Sequence, residues 1–85
     1  MERLLLEIGT QYPSAARATE AIWKAAYIMG FEIEKETEDF LVFEKKGFLG
    51  LGKSRMSITL GAERFLIEAN EGDISTLCRK LGLRD

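Results

Sequence analysis

An α+β fold is predicted for this 85-residue chain: a five-stranded, mainly antiparallel sheet with two helices on one face, in the order β-α-β-β-β-β-α. Three observations predict it. Ala15, Ala18, Ile22, Ala25 and Met29 recur at spacings of three and four, the period of a helix with one buried side. Four short strand-like runs follow between residues 31 and 69, joined by turn residues as in a meander of hairpins. Apolar and polar residues alternate in three of the five strand-like runs, so one sheet face is covered and the other meets water. Two helices are about what is needed to cover that one face.

The first strand is residues 3–8, with Leu4, Leu6 and Ile8 on one face and Arg3, Leu5 and Glu7 on the other. Residues 9–12 turn the chain. Pro13 suits the first turn of a helix, and Ser14 is an alternative N-cap. Arg17, Glu20 and Lys24 fall on the outer side of this helix, and Gly30 stops it. Trp23 and Tyr27, one turn apart on its flank, are expected to seal the core against a sheet edge. In residues 31–35 Phe31 and Ile33 should point inward and Glu32 and Glu34 outward. A tight turn at 37–39 leads into the apolar run Phe40–Phe43, whose parity alternation alone does not decide. Residues 55–60 place Met56, Ile58 and Leu60 on one face and Ser57 and Thr59 on the other. In residues 64–69 Phe65 and Ile67 point inward. The last helix is read over 73–81, with Asp73 as N-cap, Ile74, Leu77, Cys78 and Leu81 as its buried stripe, and Gly82 as its stop.

Composition narrows the function classes. A chain of this length is expected to be one domain, residues 1–85, burying roughly 60–65% of its unfolded surface, too little for a deep cleft. Twelve basic against fourteen acidic residues give a net charge of −2, which argues against gripping nucleic acid with the whole surface. The chain contains no histidine, which removes histidine-activated nucleophiles and every histidine-containing metal site. Its one cysteine, Cys78, reads as a buried structural thiol. Leu4–Leu6 is too short for a membrane span, and no signal peptide is visible, so a cytoplasmic location is the expectation.

The octapeptide GFLGLGKS at 47–54 fits the phosphate-loop pattern letter for letter. That pattern needs a strand before it and a helix after it, because the helix start aims backbone N–H groups at the phosphates. Residues 55–60 read as a strand instead, so the expectation is a hairpin loop and no nucleotide enzyme. Ser54, Ser57 and Ser75 have no histidine base, and Glu32, Glu34 and Glu36 read as one solvated strand face. Neither a catalytic residue nor a cofactor or metal site is assigned, and no small-molecule substrate is expected.

The same loop is flanked by Lys45, Lys46, Lys53 and Arg55 with no acid between Lys45 and Arg55, whereas residues 32–39 hold five acids and one lysine. Charge is thus segregated onto two hairpins. The four cations are the candidate site for RNA or another polyanion. Apolar residues that the core does not claim form a candidate interface: Leu5, Leu66, Leu41 and Phe43, and the loop residues Phe48, Leu49 and Leu51. Phe40 with Val42 is the alternative to the Leu41–Phe43 pair.

The stretches TEAI at 19–22, Gly30, EIE at 32–34 and KKGFLGLG at 45–52 together resemble the Jag N-terminal domain. In that family the module precedes RNA-binding KH and R3H domains, so the resemblance implies an accessory role near RNA. It spans about forty residues. This chain departs from it in its own first strand, in the extension through residues 64–81, and in lacking the histidine an R3H motif needs. The function expected from the residues is a small non-enzymatic binding or adaptor module acting by protein–protein contact or self-association, with polyanion binding through 45–55 as the alternative.

Overall fold

The computed structural model describes residues 1–47 and 52–83. Its elements are β1 (Glu2–Glu7), α1 (Ala15–Ile28), β2 (Glu32–Glu36), β3 (Phe40–Lys46), β4 (Lys53–Leu60), β5 (Arg64–Ala69) and α2 (Glu71–Leu81). The fold is α+β in the predicted order. The strands form one sheet in the order β1-β5-β4-β3-β2, every neighbouring pair antiparallel. Hairpins link β2 through β5, and the first strand returns to pair with the last, leaving β1 and β2 as the two edges.

Local chemistry sets the helix ends. Ser14 is the N-cap of α1, its hydroxyl accepting from the Arg17 N–H at 3.2 Å, so Pro13 lies just outside the helix. Beyond Met29 the chain closes through Gly30 N–H to Tyr27 and Phe31 N–H to Ala26, a C-terminal motif that requires positive φ at residue 30. Glycine supplies it, with φ of 92°. The last helix starts two residues earlier than expected. Asn70, not Asp73, is its N-cap, accepting from the Asp73 N–H at 2.9 Å. Gly82 ends it at φ 75°.

The core is a single layer between the sheet and the helices. Leu6, Leu41, Phe43, Met56, Ile58, Phe65 and Ile67 lie on one sheet face, opposite Ala18, Ile22, Ala25, Ala26, Ile74, Leu77, Cys78 and Leu81. Each large buried side chain contributes about 1.5–3 kcal/mol relative to exposure. α2 packs on β1 and β5 and against α1. The Trp23 ring meets Phe43 edge-on at 5.2 Å, which sets α1 over β3. Tyr12 O–H donates to the Leu81 carbonyl at 3.1 Å, tying the β1–α1 connection to the end of α2.

Five expectations are corrected. Leu41 and Phe43 are each 1% exposed; the hairpin register sets them against Ile58 and Met56, inside the core, so they cannot line an open surface. Ala15 is exposed at the first helical position, and Ala26 takes its place in the buried stripe. Tyr27 is 79% exposed, so of the two flank aromatics only Trp23 seals the core. Ile33 is on the helix side but 38% exposed, because no helix reaches over β2. A register shift between Ile33 and Lys35 also breaks the alternation: Glu32 opposes Glu44 on the open side, whereas Glu36 opposes Leu41 on the helix side. The three glutamates therefore do not share one face.

Candidate functional site

The face of the sheet turned away from the helices is left uncovered by the fold. Its side chains follow from register. Leu5 opposes Leu66, Leu66 opposes Thr59, and Thr59 opposes Phe40, so one row crosses four strands. At a strand spacing near 4.8 Å that row is about 14 Å long. The adjacent row runs Arg3, Glu68, Ser57, Val42 and Lys35. Leu5 is 52% exposed at the edge strand, while Leu66, Phe40 and Val42 are half-buried by their neighbours. Phe40 and Val42 thus hold the positions expected for Leu41 and Phe43. Lys35 lies over the Phe40 ring at 5.4 Å.

Ion pairs border this apolar centre. Arg3 Nε is 3.3 Å from Glu68 Oε2, and Arg64 Nε is 3.4 Å from Glu7 Oε1. Toward the β3–β4 connection, Arg55 bridges Glu44 at 3.0 Å and Glu34 at 3.6 Å. All are solvated pairs, screened by water and of little weight for stability. Their part is to keep the rim polar.

The candidate polyanion site looks different once its partners are in place. Lys45 Nζ is 3.1 Å from Asp73 Oδ1 and stacks over Phe31 at 4.8 Å, so it clamps β3 to the start of α2. Lys53 is 3.7 Å from Glu44, and Arg55 holds both Glu44 and Glu34. Among the described residues Lys46 alone of the four has no carboxylate within 4 Å. Three carboxylates set against four cations leave this hairpin nearly neutral. Sequence order hid part of this: Glu44 directly precedes Lys45, but Glu34 and Asp73 arrive from β2 and from the start of α2.

The phosphate-loop match ends in β4, so no helix start follows Ser54. Phe48, Leu49 and Leu51 lie outside the described residues. The stretches that carry the Jag resemblance fall on α1, its glycine stop, β2 and the β3–β4 connection. Among the described residues there is no cluster of three metal-ligating side chains, and no helix is long and apolar enough to cross a membrane.

Among the described residues Glu34 and Glu44 form a carboxyl pair with shifted titration. A hydrogen bond between them raises Glu34 above its ordinary value of 4.5, with Glu44's charge adding to the rise. The same hydrogen bond, then the one from Arg55, lowers Glu44. Glu34, being raised, stabilises the fold below its unfolded value and loses that contribution as pH climbs through its folded value. Glu44, being lowered, stabilises above its unfolded value and loses the contribution as pH falls through its folded value. Carboxyl NMR should therefore show two separate steps, Glu44 titrating below 4.5 and Glu34 above it. Glu44→Gln should bring the Glu34 midpoint down; an unmoved midpoint would contradict the pairing.

Comparison with protein-family models and with curated proteins finds no match to this chain.

Proposed function

We propose that this chain is a non-enzymatic binding module acting by protein–protein contact, with a second copy of itself as the partner of its open sheet face. One observation carries the reading: the row Leu5–Leu66–Thr59–Phe40, widened by Val42, is an apolar centre with ion pairs on its borders. That is the anatomy of a contact surface, apolar in the middle and polar at the rim. Because each border carries both signs, a two-fold arrangement can set Arg3 or Arg64 of one copy near a glutamate of the other.

Five strands by about six residues cover on the order of 400–500 Å². Two such faces bury somewhat under the 1,200 Å² of a standard interface, which marks a weak, concentration-dependent dimer. The neutralised basic hairpin gives polyanion binding less support than this face has.

Sedimentation equilibrium tests the reading. The chain should shift from monomer toward dimer across the micromolar range, and Leu66→Glu should hold it monomeric at every loading with its thermal unfolding nearly unchanged. Leu5→Lys, at the more exposed end of the row, should do the same. A monomer at all concentrations, or dimers untouched by both substitutions, would overturn it.

A further inference from the structure

The helix-covered side of the molecule has an opening of its own, and it lies beside the edge strand β2. Trp23 and Tyr27 on α1 form one wall, Ile33 and Glu32 on β2 the other, with Phe31 and Phe43 as the floor. The groove encloses about 260 Å³. It exists because α1 leans over β3, through the Trp23–Phe43 contact, and stops short of β2. Every residue of β2 is exposed, and its outer edge has no strand beside it. Tyr27 stands 79% exposed at the rim, an aromatic ring that the core does not use.

We propose that this groove receives an extended, basic segment of a partner protein, laid along β2 with one bulky apolar side chain seated between Trp23, Tyr27 and Ile33. Charge selects the occupant. Glu32 is the only charged residue among those lining the groove, reaching its rim from the open-side position opposite Glu44, and Glu36 lies on the helix-facing side through its register with Leu41. Glu38 and Asp39 add further negative charge to the same hairpin, whereas Glu34 is answered by Arg55. The single lysine of β2, Lys35, is on the opposite face over Phe40. Lys45, the cation stacked on Phe31, is neutralised by Asp73. A segment placed here therefore meets carboxylates and an apolar slot.

Charge also excludes the alternatives. A second copy pairing through its own β2 would set this acidic strand against itself, and like charges opposite one another are destabilising. RNA and anionic lipid surfaces would be repelled for the same reason. The other sheet edge is less open: the Glu7 N–H donates to Gln11 Oε1, and the Glu7 carbonyl accepts from the N–H groups of Gln11 and Tyr12. Strand addition at an edge combined with side-chain pockets is an established recognition mode. The β2 bulge shortens the ladder a partner could form, so the groove and the glutamates supply most of the affinity and the selectivity.

A random nonapeptide phage library panned on the full chain tests the proposal. Enriched peptides should carry lysine or arginine on both sides of a leucine, phenylalanine or tryptophan. Trp23 is the only tryptophan, so binding of a synthetic enriched peptide should change the intrinsic emission saturably. Affinity should fall at least tenfold with Tyr27→Ala, and again with Glu32→Lys; both positions are exposed, so the fold should survive. It should also weaken as salt rises. No enrichment, enrichment of acidic peptides, or binding that Tyr27→Ala and Glu32→Lys leave intact would overturn it. Leu66→Glu, which breaks the proposed dimer, should bind the peptide as the unaltered chain does, so the two surfaces stand or fall separately.

Discussion

Alanine at Phe43 is expected to remove about 3–5 kcal/mol of stability, the usual effect of truncating a buried phenylalanine. Phe43 is among the largest fully buried side chains, and its ring is what Trp23 packs against. Truncation opens a cavity under α1 at the point where that helix is held over β3. A domain of this size has roughly 5–10 kcal/mol to lose. Phe43→Ala should therefore be partly unfolded at physiological temperature, while Phe43→Leu should stay folded and show a smaller loss in urea. Self-association of folded Phe43→Leu should match the unaltered chain. A fully stable Phe43→Ala that no longer dimerises would instead return Phe43 to the interface.

Lys45→Ala is expected to cost about 2 kcal/mol, less than the 3–5 kcal/mol of a fully buried pair because the lysine keeps some solvent. The carboxylate it leaves behind is the reason for the loss. Asp73 is buried, and among the described residues its Oδ2 has no hydrogen-bond partner, so Lys45 is the cation that offsets its desolvation. The lysine also loses its place over Phe31. Replacing both partners by apolar residues, Lys45→Met with Asp73→Leu, should recover much of the stability, because no unpaired charge is then buried. Thermal unfolding of the two single variants and the double variant measures this. Equal stability of Lys45→Ala and the unaltered chain would show that the contact is not a clamp.

Both results bear on what could be read from the chain before its fold was known. The helical stripe, the hairpin order and the glycine stops were legible because each is a local pattern with a period or a turn chemistry of its own. Phe40–Phe43 was not, since four apolar residues in a row carry no parity. Only the register of β3 on β4, with Ser57 and Thr59 turned to solvent, places Val42 and Phe40 beside them and drives Leu41 and Phe43 inward. A one-residue slip would have exchanged the two pairs. The same polar positions in β4 were the available signal, and the unknown length of the loop blocked its use.

The charge balance of the basic hairpin depends on the fold in a related way. A run of cations is visible in sequence, but of the acids that answer it only Glu44 adjoins the run. Glu44 faces Arg55 across a hairpin, Glu34 is on the strand beyond, and Asp73 is 28 residues from Lys45 at the start of α2. Charge read along the chain overstates a patch whenever the fold brings the opposite sign alongside it.

What the sequence determined by itself was the kind of molecule: one sheet, two helices, a covered side and an open side, all written in periodicity and turn residues. What only the tertiary structure decided was which apolar residues reach the surface and which charges are already answered. Both depend on strand register and on where α1 stops short of β2, and these are set by packing between segments far apart in the chain.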